Sequence, residues 1–136
     1  MHLITERLLV GNIDDAREPP PTIGALLLVA EEFALEPAAW IDYHRVPIQE
    51  FAEADPAKLM QAIAWLERRV PTSRTLVCCR AVMGRSVSVV IAYLCCVEGM
   101  AYADVLKLVK SRRPGAMPLP NLQTAIDQVC LLRRAA

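Results

Sequence analysis

Two kinds of apolar pattern divide this chain. Short solid runs come at Arg7-Leu8-Leu9-Val10-Gly11-Asn12, Ala25-Leu26-Leu27-Leu28-Val29 and Thr75-Leu76-Val77-Cys78-Cys79. Runs apolar at every position are those of strands covered on both faces, as in a parallel sheet. A more mixed run from Trp40 to Val46, closed by Pro47, predicts a further strand. Gly11-Asn12 is a turn signal, and Glu18-Pro19-Pro20-Pro21 reads as a rigid connection.

Longer segments have helical spacing instead. Pro56 to Val70 sets Leu59, Ala62, Ile63, Leu66 and Val70 on one face, with Asp55 a ready N-cap and Pro56 at the first helical position. Ser86 to Val97 predicts a core helix ended by Glu98-Gly99, and Cys95 and Cys96 within it, like Cys130 later, read as core. Ala101 to Ser111 is a helix with Tyr102, Val105, Leu106 and Val109 on one face, and Arg112-Arg113-Pro114-Gly115 stops it. The two arginines there read as a helix C-cap. Asn121 to Arg134 is the last helix, burying Leu122, Ala125, Ile126, Val129 and Leu132. This alternation predicts a three-layer α/β architecture, a central and mostly parallel sheet of four or five strands flanked by helices. With 136 residues and no repeat, linker or low-complexity segment, one domain spanning 1–136 is expected.

Composition narrows the function. Fifteen basic and fifteen acidic residues cancel, which argues against nucleic acid or another extended polyanion as partner but leaves room for a local cationic pocket. No apolar run is long enough to span a bilayer, and residues 1–7 carry no leader pattern, so neither membrane nor export is expected. Five cysteines, an odd number in apolar contexts, fit a reducing cytoplasm better than a disulfide framework. His2 and His44 fall at no metal-ligand spacing with any Cys or carboxylate, and no metal or other cofactor is predicted.

The chemistry concentrates in one place. An apolar strand ends at Cys79, the loop Arg80-Ala81-Val82-Met83-Gly84 follows, and Arg85-Ser86 opens a helix. Strand, tight loop and helix N-terminus in that order make an anion cradle of backbone N–H groups. A guanidinium at its rim suits a phosphate, and a positive surround is what a cysteine needs to act as a nucleophile. A cation is disfavoured at a helix N-terminus, so Arg85 makes sense there beside an anion. Phosphate or another oxyanion is therefore the expected occupant of residues 79–85. Cys78, directly before the nucleophile, fills space, and as a lesser reading could trap an oxidised Cys79 as a disulfide.

Cys79-x5-Arg85-Ser86 between an apolar strand and an apolar helix resembles the active-site loop of the dual-specificity branch of the cysteine-dependent protein phosphatases. Leu8-Leu9-Val10-Gly11-Asn12, Ala30-Glu31-Glu32, Val46-Pro47-Ile48, Val109 to Pro114 and Pro118-Leu119-Pro120-Asn121 extend the likeness over nearly the whole chain. The resemblance implies a phosphate-monoester hydrolase working through a phosphocysteine at Cys79, on a phosphoprotein or a small phosphate ester. It adds to Ser86, otherwise only an N-cap, a hydrogen bond to the cysteine sulfur.

Three positions depart from the family pattern: Cys78 where it has His, Val82 where it has Gly, and Glu50 where it has an aspartate as general acid. A β-branched residue at positive φ is a genuine outlier, so Val82 implies either a reshaped loop or weakened phosphate binding. Glu50 and Asp55 both remain candidates for the acid, Asp55 already being explained as a helix cap. The alternative to an enzyme is a domain that binds a phosphoprotein or oxyanion without efficient turnover.

Overall fold

The three solid apolar runs become the three inner strands of one sheet in the computed structural model, which describes residues 1–135. In chain order the elements are β1 (His2–Thr5), β2 (Leu8–Gly11), α1 (Ile13–Arg17), β3 (Ala25–Leu28), β4 (Asp42–Arg45), α2 (Pro56–Arg69), β5 (Thr75–Cys78), α3 (Arg85–Cys96), α4 (Tyr102–Arg112) and α5 (Leu122–Ala135). The strands lie in the order β1-β2-β5-β3-β4. β5 is central and parallel to both neighbours, Leu8 to Gly11 on one side and Ala25 to Leu28 on the other meeting Thr75 to Cys78 residue for residue.

All four residues of β2, β3 and β5 are buried, as strands with helices on both faces require. The edges differ. β4 alternates exposed and half-buried Asp42, Tyr43, His44 and Arg45, and β1, the one antiparallel strand, buries only Ile4. Polar, short edges discourage pairing with another chain.

α3 is the hub of the helices, packing on β2 and β5 and against α2, α4 and α5, while α1 packs on β2 and β5. Its residues from Arg85 to Leu94 are all buried, which is why its sequence is apolar all round rather than striped. The sheet therefore delivers the end of β5 and the start of α3 to one rim, with helices on either side.

Two elements escaped sequence reading, β1 and α1. Both are very short, and α1 is held by a capping box in which Asn12 and Asp15 each accept the other's backbone N–H at 2.9 Å. Two other expectations change. Gly84, with no side-chain cap bond, takes the N-cap of α3 in place of Ser86. Cys95, Cys96 and Cys130 are only partly buried, packed against the core from the C-terminal end of α3 and from α5. No helix among the described residues is long and apolar enough to cross a membrane.

Leu76 is fully buried in the central strand, with a paired strand on either side. Leu76→Ala is expected to cost about 3 kcal/mol, seen as a lower urea midpoint at unchanged slope.

Candidate active site

Cys79 is the first residue beyond β5, and its backbone N–H still donates to Gly11 O at 3.2 Å, so the strand ladder holds the cysteine in place. Its Sγ lies 3.2 Å from Ser86 Oγ in the first turn of α3. The preceding Cys78 is fully buried; burial, reinforced by the charge of Asp15, pushes its thiol up well above the ordinary range. Side chains alternate along a strand, and a thiol held protonated is a poor attacker. That counts against Cys78 as a trap for an oxidised Cys79.

The loop backbone is fixed from behind through its carbonyls. Arg80 O accepts from Ile13 N at 3.3 Å, Val82 O from Arg113 Nε at 3.0 Å, and Met83 O from Met117 N at 2.7 Å. In a planar trans peptide the carbonyl of one residue and the N–H of the next point in opposite directions. Pinning those three carbonyls outward therefore aims the N–H groups of Ala81, Met83 and Gly84 the other way, into the loop. Among the described residues no protein acceptor meets the N–H groups of Arg80, Ala81, Val82, Met83 or Gly84. Such a ring of free amides at a helix N-terminus is suited to an oxyanion.

Val82 sits within that ring at φ 59°, in the left-handed region, with its side chain buried. For a β-branched residue this costs roughly 1–3 kcal/mol. A hydrogen bond to a charged donor contributes about 1.5–3 kcal/mol, so the Arg113 contact is of the size needed to offset it.

Arg85 is 1% exposed, the most buried charged side chain among the described residues. Glu32 takes its end-on face, Nη1 donating to Oε1 at 2.5 Å and Nη2 to Oε2 at 2.8 Å. The second Nη1 proton goes to Ile48 O at 3.1 Å. What remains is the Nε and Nη2 edge, a two-pronged fork of the geometry a phosphate accepts. Glu50 Oε2 stands 3.6 Å from Nη2, at the border of that edge. The hydrogen bond from Arg85, with a lesser contribution from the charge of Arg80, lowers the Glu32 carboxyl to about 2.

Glu32 is itself positioned. Arg45, at the end of β4, donates from Nε to Phe33 O and from Nη2 to Glu31 O, both at 2.7 Å, clasping the turn that carries it. Ile48 O receives the Glu31 N–H as well as Arg85.

The residues singled out in the sequence are distributed as follows. Cys79, Arg85, Ser86 and Glu50 converge on one site. Asp55 caps α2, accepting from Ala57 N at 2.9 Å. Arg80, Ala81 and Met83 turn their side chains to solvent, and Gly84 is half-buried. Beside the loop a cavity of about 170 Å³ is lined by Glu50, Phe51, Met83, Met117, Leu119 and Pro120 among others. Glu32, Arg45 and Arg113 were not picked out as site residues. Among the described residues no cluster of three or more His, Cys, Asp or Glu could hold a metal.

Residues 23–129 match the family model described as the dual specificity phosphatase catalytic domain. The chain is 31% identical over 90 residues to human dual specificity protein phosphatase 15, an alignment covering 65% of this chain and 30% of that protein. The chain spans at most about half the length of the curated relatives it matches. In fold it is similar to a point variant of human DUSP28 (TM-score 0.84, 24% identity, 98% of this chain and 96% of that one). It is also similar to the human tyrosine phosphatase-like serine/threonine/tyrosine-interacting protein (TM-score 0.83, 19% identity, 98% and 97%).

The Glu32–Arg85 pair has a pH signature. Folding lowers the Glu32 pKa from 4.5 to about 2, so its contribution to stability is complete above about pH 4.5 and is lost as pH falls toward 2. Because Glu32 is 35% exposed, the contribution is discounted to about 1–2 kcal/mol. Glu32→Gln is expected to flatten that part of the acid limb in urea unfolding followed from pH 5 to pH 2.

Proposed function

The chain belongs to the dual-specificity phosphatase family, and from that premise we propose that it hydrolyses phosphate monoesters through a covalent phosphocysteine on Cys79. The observation that carries this reading is the open fork of Arg85, immobilised by Glu32 and Ile48 O beside the Cys79–Ser86 pair. A buried, pre-oriented guanidinium and a ring of N–H groups stabilise charge on the equatorial oxygens without reorganising.

In the first step Cys79 Sγ attacks phosphorus, the S–P bond forms, the P–O bond to the leaving group breaks, and Glu50 gives that oxygen a proton. In the second a water attacks the phosphocysteine, its proton passes to Glu50, the S–P bond breaks, and Ser86 Oγ hydrogen-bonds the departing sulfur. Glu50 Oε2 faces Arg85 Nη2 across 3.6 Å. A phosphate on the fork takes up that edge of Arg85 and leaves the Glu50 carboxyl free to face the leaving oxygen.

The apolar cavity next to Glu50 and Met83 accepts an uncharged substrate body. Its volume of about 170 Å³ is close to the ~150 Å³ that holds a benzene ring. The substrate is a phosphoprotein or a small phosphate ester, and the free thiols fit a reducing cytoplasm as the place of work.

A second reading, a domain that binds an oxyanion or phosphoprotein with little turnover, is favoured by two specific observations. Val82 holds a strained positive φ within the loop, and Glu50 Oε2 lies 3.6 Å from Arg85 Nη2, at the edge a phosphate would use.

Turnover of p-nitrophenyl phosphate between pH 5 and pH 8 separates the readings. Wild-type turnover abolished by Cys79→Ser is expected; no turnover at any of these pH values contradicts the enzyme reading. Glu50→Gln is expected to lower kcat by about 10²–10⁴, whereas Asp55→Asn leaves it within about twofold because Asn also caps helices. The reverse ranking would move the acid to Asp55.

A further inference from the structure

The phosphate loop carries a conflict that its own residues do not resolve. With Val82 at φ 59°, its branched side chain crowds the backbone, and a loop with Val82 at negative φ is locally cheaper. Turning that peptide over, however, swings the Met83 N–H out of the cradle.

Arg113 opposes the turn. It closes α4, its backbone N–H donating to Val109 O at 2.8 Å, and its Nη1 folds back onto Pro114 O. Gly115, at φ 85°, makes this tight reversal available. From that anchored position Nε reaches Val82 O at 3.0 Å, and the same turn delivers Met117 N to Met83 O at 2.7 Å. Ser88 Oγ, buried in α3, accepts from Leu119 N at 2.9 Å and fixes the far end of the segment. The strained peptide is thus held by a donor thirty-one positions away in sequence, on a segment that is itself tied at both ends.

We infer that Arg113 is a positioning residue of the active site: it holds Val82 in the left-handed conformation and so aims the Met83 amide at the bound oxyanion, with Met117 N doing the same for Gly84. The inference rests on the proposed reading of the loop as an oxyanion cradle. It adds a coupling to that reading, since a glycine at position 82 occupies positive φ without a steric penalty and needs no such clamp.

The test is a double-mutant cycle on the full chain with Arg113→Ala, Val82→Gly and the pair, plus Arg113→Lys. Orthophosphate affinity by calorimetry and kcat/KM for p-nitrophenyl phosphate are the readouts, with the melting temperature of the phosphate-free protein as the check on folding. Arg113→Ala is expected to weaken orthophosphate binding by roughly ten- to a hundredfold, the size of one charge-assisted hydrogen bond. Arg113→Lys recovers most of this, because one donor suffices. In the Val82→Gly background the Arg113→Ala loss shrinks to about threefold or less. Equal losses in both backgrounds, or a lowered melting temperature with unchanged phosphate affinity, would overturn the clamp and leave the cradle standing. A wild-type protein that binds no orthophosphate overturns the cradle and the clamp together. If Arg113→Ala does not fold, Arg113→Met, which keeps the bulk of the side chain but has no donor, carries the comparison: an equal loss of affinity with and without Val82→Gly refutes the coupling.

Discussion

A charge removed from water has to be answered on every side, and in this protein that charge is Arg85. Its guanidinium is buried at the first turn of α3, where the helix dipole disfavours a cation. Taking such an ion out of water costs several kcal/mol unless the surroundings pair it well. The pairing comes from two separate parts of the chain. Glu32, after β3, meets it with both carboxylate oxygens, and Ile48, after β4, offers a carbonyl. Because those partners occupy fixed directions, the guanidinium has one orientation left, with its free edge beside Cys79. Arg45 clasping the Glu31–Phe33 turn extends this constraint one layer outward.

The loop between β5 and α3 depends on the same frame. Its carbonyls are held from α1, from the end of α4 and from the segment leading to α5, so the amides have nowhere to point but inward. This arrangement survives a residue that opposes it. Strain at a functional site persists where the surroundings over-determine the backbone, and Val82 is such a case. The sheet supplies the rest: with β5 central and its ladder continuing through Cys79 N, Cys79 stands at the end of the innermost strand.

Much of this could be read from residue order. Solid apolar runs at Ala25 to Val29 and Thr75 to Cys79 declared buried parallel strands, and Asp55-Pro56 marked the start of α2 almost to the residue. Cys79, Arg85 and Ser86 declared themselves because strand, loop and helix put them in contact within one local unit. Other parts left a weaker trace. β1 buries a single side chain, and the Asn12 start of the five-residue α1 read only as a turn. Glu32 stood out only as part of a family-like Ala30-Glu31-Glu32. Arg113 read as a helix end, which it is, while its second role depends on a partner thirty-one residues back. Contacts of that range have no local signature. Ser86, expected as a cap, yields that position to Gly84, which has no side chain to bond the first amides of α3.

Hydrolysis at this loop would pass phosphorus through the sulfur of Cys79. The decisive experiment is to acid-quench the protein within milliseconds of mixing it with p-nitrophenyl phosphate, then identify by mass spectrometry any peptide that carries a phosphoryl group. An adduct is expected on the peptide holding Cys79, formed in proportion to the initial burst of nitrophenol and missing from Cys79→Ser. Steady turnover with the adduct on another residue, or a Cys79→Ser protein that still releases nitrophenol at the wild-type rate, would contradict it.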